Sequence, residues 1–193
     1  MLRFAVVGHL ARTSGDINLS DLPGGAGRMD VLCRCVNSAF FLSHEFRRDV
    51  ECYLILCGDP DPEKTVRFSG SKVRYLSPDE RSAGSLIKKA LALPAGSAWR
   101  ESTPGVEVRR GGLDLLLGEY PFAVLDETGI DLRKAGKLPE GYLLSDHQNF
   151  TPGEEALLAG REKYSAGPLS LHADHTITLV LNEIDRRRAG WTS

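Results

Sequence analysis

Apolar residues fall into two kinds of pattern along this chain. "LRFAVVG" (2–8) and "DVECYLILC" (49–57) are nearly continuous apolar runs of strand length, rich enough in branched residues to be buried on both faces. Between them, His9 to about Gly27 is a long polar, glycine-rich loop. "RMDVLCRCVNSAFFLSH" then sets Leu32, Cys35, Val36, Ala39 and Phe40 at helical spacing. "TVRFSGSKVRYL" (65–76) predicts a hairpin turning at Ser69-Gly70-Ser71. Ser77-Pro78-Asp79-Glu80 predicts a helix start, with Ser77 as cap, Pro78 at the first helical position and Glu80 closing a capping box. That helix runs to about Leu93, before Pro94, and 94–105 reads as loop. Short strands are predicted at 106–109, 121–125 and 141–145. Thr151-Pro152-Gly153-Glu154 opens another helix, to about Gly160. "KYSAG" (163–167) is a last short strand. A final helix covers 174–188, its last turn bearing Arg186, Arg187 and Arg188 at the negative end of the helix dipole.

Strands alternating with helices define an α/β fold with a largely parallel sheet. In such sheets ligands lie beyond the carboxyl ends of the strands. The rule points to the loops after residues 8, 125, 145 and 166, three of which are rich in Gly, Ser, Asp and His.

The chain has 193 residues, read as one domain. Its formal charge of −2 excludes a global basic field, although arginines cluster at 47–48, 109–110 and 186–188. No apolar run reaches membrane-spanning length and no signal-peptide pattern opens the chain, so a cytoplasmic location is expected. Cys33, Cys35, Cys52 and Cys57 form no C-x-x-C pair and read as reduced, mostly buried thiols.

The stretch "YSAGPLSLHADHTI" (164–177) places His172, Asp174 and His175 within four positions. As a metal site it lacks the third or fourth ligand and the i, i+4 histidine pairing that zinc requires, so no metal is expected. In a structural reading, Gly167-Pro168 turns the chain, and the free main-chain groups at a helix start line a pocket that could hold an adenosine-type ligand. "YLLSDHQNF" (142–150) has the same form and offers either a loop-capping Asp/His pair or a second wall of that pocket. No G-x-S-x-G elbow, P-loop or dinucleotide-binding glycine pattern is present. The segment 13–50 is the densest in polar chemistry. Arg28 and Asp30 flank a helix start, where Asp30 also has a plain role as a first-turn carboxylate.

Taken in order, "DINLSDLPG" (16–24), "GRMDVLCRCVNSAFFLSHEFRRDV" (27–50), "SPDER" (77–81), "STPG" (102–105), "SDH" (145–147) and "GPLSLHADH" (167–175) resemble the archaeal TrmY family, the tRNA pseudouridine-54 N1-methyltransferases. Each piece alone is weak; the series spans nearly the whole chain. The resemblance implies a SPOUT-type α/β fold with a C-terminal deep trefoil knot, a homodimer, and S-adenosylmethionine (SAM) held by the knot loops. Carried over by position, it assigns cofactor contacts to Leu125, Ser145, Ala166, Gly167, Pro168, Leu169, Ser170, Leu171 and Thr176. Ser145 stands where the family usually has Gly, Ala166-Gly167 where it has Leu-Ser, and Thr176 where Cys is frequent. His172, Asp174 and His175 would then order the loop and helix around the adenosine.

For the reaction, selecting pseudouridine needs an acceptor aimed at its N1–H, and a carboxylate serves as base or as orienter. The similarity of "GR-x-D" to a segment of the sister family that methylates pseudouridine in ribosomal RNA assigns this to Asp30. Arg28 would bind phosphate or stabilise the anionic base. Arg48 and Arg81 are candidate phosphate contacts to the tRNA T-arm, with an ion pair to Asp49 or Glu45 as the plain alternative for Arg48. The competing readings are ribosomal RNA as substrate, a non-catalytic RNA-binding paralogue, and a metal hydrolase using His147, His172 and His175.

Overall fold

The computed structural model describes residues 1–191. An eight-stranded sheet runs through it in the order β4-β5-β3-β2-β1-β7-β6-β8. The strands are β1 (Leu2–Gly8), β2 (Val50–Leu56), β3 (Lys64–Ser69), β4 (Arg100–Thr103), β5 (Val106–Arg110), β6 (Ala123–Asp131), β7 (Gly141–Ser145) and β8 (Lys163–Ser165). β2, β1, β7, β6 and β8 are mutually parallel, and β3, β5 and β4 extend the sheet antiparallel beyond β2. Five helices lie among the described residues: α1 (Met29–Phe40), α2 (Glu80–Leu91), α3 (Leu113–Glu119), α4 (Pro152–Leu158) and α5 (Ala173–Arg188).

The two-residue period of β1 explains the layers. Phe4 and Val6 join a core with Leu32 and Val36 of α1, Leu86 and Ile87 of α2, and Ile177 and Val180 of α5. Ala5 and Val7 point the other way, into a smaller core with Leu113 and Leu116 of α3 and Leu158 of α4. Burial on both faces is why 4–7 is apolar throughout, while Arg3, near the start of the strand, is only partly buried and pairs with Glu51 of β2 at 3.1 Å.

Several sequence expectations are corrected. The predicted hairpin at 65–76 does not form. After Ser69 the chain turns, with the Lys72 and Val73 N–H groups donating to the Ser69 carbonyl, and β5 takes the free edge of β3 through Val66↔Val108. Alternation identifies a strand but not its partner. β4 lies inside the segment read as loop, and α3 had no predicted counterpart. α1 ends at Phe40, where Phe41 turns extended and bridges to Phe46. At α2 the cap is Asp79, not Ser77. Asp79 is extended and its carboxylate accepts from the Ser82 N–H at 2.8 Å, while Ser77 donates its own N–H to the Ser82 hydroxyl. The capping box at Thr151/Glu154 forms as predicted.

Candidate active site

Because β1, β7, β6 and β8 are parallel, their carboxyl ends share one edge of the sheet. A cavity of about 330 Å³ opens there. Its walls come from the irregular middle of β6 (Leu125, Asp126, Glu127, Thr128), where the pairing with β8 breaks register, from the end of β7 and the turn after it (Ser145, Asp146, Gln148) and from the turn after β8 (Ala166, Gly167, Leu169, Ser170, Leu171), with Ala173 and Thr176 of α5 and Glu155 of α4. Eight of the nine positions assigned to the cofactor are in these walls; Pro168 lies between two of them and is not. The wall chemistry suits an adenosyl sulfonium. Leu169 is 74% exposed and Leu171 42%, an apolar surface free to cover an aromatic base. Four carboxylates also line it, of which Asp126 pairs with Lys163 at 3.0 Å and Asp146 with His9 at 2.9 Å, beside Glu127 and Glu155.

The β7 wall is pinned by residues that the sequence reading left unpaired. His9 follows β1 and Asp146 follows β7. The parallel register brings them together, and the Asp146 N–H donates to the Val7 carbonyl. The His9 ring lies between two carboxylates, with Nδ1 2.9 Å from Asp146 and Nε2 2.9 Å from Glu154. The Asp146 hydrogen bond raises the His9 ring to about 9 against the opposing effect of burial, and Glu154 adds to it. Burial acts to raise Asp146, but hydrogen bonds from His9 and the Gln148 N–H outweigh it and hold the carboxyl low. His147 also faces Asp146, at 3.3 Å. Only the Ser-Asp-His string hinted at this cluster; its partner His9 is 137 residues away.

Arg28 and Asp30 meet at the start of α1. Gly27 and Arg28 both have left-handed backbone conformations, φ 66° and 62°. At Gly27 a Cβ would collide with the Leu10 carbonyl oxygen, so only glycine fits. The left-handed turn at Arg28 folds its guanidinium back onto its own helix. Nε donates to Asp30 Oδ1 at 3.0 Å, and Arg34 donates to Asp30 Oδ2 at 3.0 Å. Burial alone would raise the Asp30 carboxyl, but the two arginines hold it below the usual carboxylate range. Asp30 is therefore an ionised, buried carboxylate capped by two cations, one of which, Arg28, is about one-third exposed.

Arg34 ties this pair to its surroundings. It also donates to Glu80 in the first turn of α2 at 3.0 Å, and its Nε lies 3.9 Å from Asp174 at the start of α5, beside the cavity wall. Of the three residues that opened the 172–175 question, Asp174 is buried in this network. The exposed His175 ring reaches the edge of the network, with Nε2 3.7 Å from Asp174 Oδ2, and lies edge to face with His172 at 5.7 Å, which offers no side-chain cap to α5. Among the described residues no group of three His, Cys, Asp or Glu side chains could hold a metal. Arg81 is exposed on α2 next to Glu80.

Arg48 stands apart. It precedes β2, at the amino-terminal edge of the parallel strands, about 20 Å of strand from the cavity. It donates to the Gly70 carbonyl at 3.0 Å and lies over the Phe46 ring. The alternative of an ion pair with Asp49 or Glu45 is not found among the described residues, and Asp49 pairs with Arg188 at 2.9 Å. No helix among the described residues is long and apolar enough to cross a membrane.

A mostly parallel sheet with a ligand-sized cavity at its carboxyl edge is the arrangement in which open α/β proteins bind their ligands. This chain belongs to the family described as "Putative SAM-dependent RNA methyltransferase", which matches residues 1–189. It is 59% identical over 191 residues to a tRNA (pseudouridine(54)-N(1))-methyltransferase of Methanocorpusculum labreanum, covering 97% of this chain and 98% of that protein. It is 52% identical to the enzyme of the same name from Methanospirillum hungatei (99% and 100% covered) and 48% identical to that of Haloferax volcanii (96% and 96%). Among solved structures, Archaeoglobus fulgidus Nep1 bound to S-adenosylhomocysteine shares the fold, with a TM-score of 0.66 at 15% identity over 97% of this chain and 98% of that one.

Proposed function

We propose that this protein methylates N1 of pseudouridine 54 in the T-loop of tRNA, with SAM in the cavity at the carboxyl edge. The observation that carries the reading is the convergence of eight of the nine assigned cofactor positions on one cavity wall. SAM, when bound, supplies a methyl group made electrophilic by its sulfonium. The chain's own work is to hold the target base in line with that methyl and to keep water out.

In this reading Asp30 accepts a hydrogen bond from the N1–H of the base. Uridine has carbon at that ring position and offers no such donor. Because Arg28 and Arg34 hold Asp30 ionised, it is a weak proton acceptor and a good orienter, so the role of orienter is favoured over that of base. The partly exposed Arg28 is placed to meet negative charge on the base or a phosphate. Arg81 and Arg48 serve as phosphate contacts. Arg48 is too far from the cavity to reach the reacting base of its own subunit, so it meets a more distant part of the RNA or an RNA held by a partner subunit.

The reading includes one domain, a trefoil knot near the C-terminus, a homodimer and a cytoplasmic location. The β1-β7-β6-β8 order, with α5 returning across to pack on α1, supports the knotted path. A groove between α1 and α5 lined by Phe41, Leu42 and Leu181 supports a dimer face.

The test uses labelled SAM and two T-arm RNAs that differ only at position 54, pseudouridine against uridine. Transfer to the pseudouridine RNA alone is expected. Equal transfer to both would overturn the base specificity, and cofactor binding without transfer to either would favour another RNA or a binding-only protein.

A further inference from the structure

The loop between β3 and α2 carries an unusual residue. Tyr75 is 75% exposed and has φ 64°, a left-handed conformation that an aromatic residue rarely adopts. Its neighbours explain how it is held. Val73 is buried and Leu76 is packed against the core on either side of it. The Arg74 N–H donates to the Pro104 carbonyl at 3.2 Å, and the Tyr75 carbonyl faces the Ser82 hydroxyl at 3.4 Å. The chain is thus pinned at both ends of a strained turn, and the ring is turned to solvent. A ring with only a packing role would gain by burial, and this one is kept out of the core.

Cations predominate in the groove next to it. Arg48, Lys72 and Arg74 line a shallow groove that adjoins Tyr75 in the chain, and Arg81 is the exposed second residue of α2. Glu101 is the acidic residue of that groove, and its carboxylate is engaged by the Gly105 N–H at 3.0 Å. An exposed aromatic ring next in the chain to a groove lined mainly by cations is the chemistry of a single-stranded or loop nucleotide site, in which a base stacks on the ring and phosphates meet the charges. The position is informative as well. Ser82 holds Tyr75, Glu80 of the same helical turn binds Arg34, and Arg34 binds Asp30. A short series of contacts therefore leads from Tyr75 to the clamped carboxylate.

We infer that Tyr75, with Arg48, Lys72, Arg74 and Arg81, forms a second RNA-binding site, on which an unpaired base of the substrate RNA stacks while its target base is at Asp30. This rests on the reading of the protein as an RNA methyltransferase and extends its RNA contact beyond the modified nucleotide. It also gives Arg48 a local function despite its distance from the cavity.

The experiment measures binding of a fluorescent tRNA and steady-state methylation for the full chain and its variants. Tyr75→Ala is expected to raise Kd and KM for RNA about tenfold (about 1.4 kcal/mol), with kcat and the affinity for S-adenosylhomocysteine unchanged. Tyr75→Phe keeps the ring and should behave as wild type. Tyr75→Gly relieves the left-handed strain, so it should unfold no earlier than wild type yet bind RNA as weakly as Tyr75→Ala. Arg74→Ala should lower the slope of log Kd against log salt by about one. Wild-type RNA affinity in both Tyr75→Ala and Tyr75→Gly would overturn the inference. So would an equal loss in Tyr75→Phe. Failure of the wild-type protein to methylate pseudouridine RNA would instead count against the proposed reaction, and the binding comparison would still decide the role of Tyr75.

Discussion

His9 and Asp146 are joined twice. The His9 main-chain N–H donates to Asp146 Oδ2 at 3.0 Å, and the imidazole Nδ1 lies 2.9 Å from Oδ1 of the same carboxylate. The carboxylate is almost wholly buried, and the second ring nitrogen meets Glu154 at 2.9 Å. One charged ring therefore fastens the end of β1 to the turn after β7 and to the first turn of α4, behind the cavity wall.

This arrangement makes stability depend on pH. The folded His9 ring titrates near 9 against an ordinary value of 6.5, so the folded state holds more protons than the unfolded chain between those values. The contribution is complete below about pH 6.5 and is lost as pH rises through about 9. Thermal unfolding followed from pH 6 to 9 should show the melting temperature falling with pH. His9→Gln, which cannot carry the charge, should start lower and fall less. Parallel curves for the two proteins would remove His9 as the source.

Asp30→Asn keeps the shape of the side chain and removes the charge between Arg28 and Arg34. Methyl transfer should fall by roughly 100- to 10,000-fold. Affinity for S-adenosylhomocysteine should not change, because Asp30 is not in the cavity wall. The fold should lose about 1 kcal/mol or less, since both arginines are about one-third exposed and can turn to water. Activity assays beside calorimetric cofactor binding separate these effects.

Leu169 tests the cavity itself. Its side chain is mostly in water, so Leu169→Ser should change the stability of the free protein by less than about 0.5 kcal/mol. If an adenosyl group covers this leucine, the variant should bind S-adenosylhomocysteine about tenfold more weakly. The thermal shift on adding the ligand should shrink accordingly. An unchanged shift would place the ligand away from this wall.

The sequence by itself determined the elements whose signals are local. The apolar runs of β1 and β2, the helical spacing from Leu32 to Phe40 and the Thr151/Glu154 box each act within a few residues, and each is present in the fold. The parallel half of the sheet was legible for the same reason, because the segments buried on both faces, such as 4–7 and 52–56, are apolar throughout. The cavity loops were legible from the rule for carboxyl ends together with family resemblance. Pairing was decided only by the tertiary structure. Nothing local tells β3 to pair with β5 rather than fold back on 72–76, and nothing near Asp79 marks it as a better cap than Ser77. The charge network was hidden more deeply. His9, Asp146 and Glu154, like Arg34, Glu80 and Asp174, come from distant segments that meet only once the strands are in register and the helices are packed. Hydrophobic periodicity places backbones, and it does not say which buried charges will find each other when the layers close.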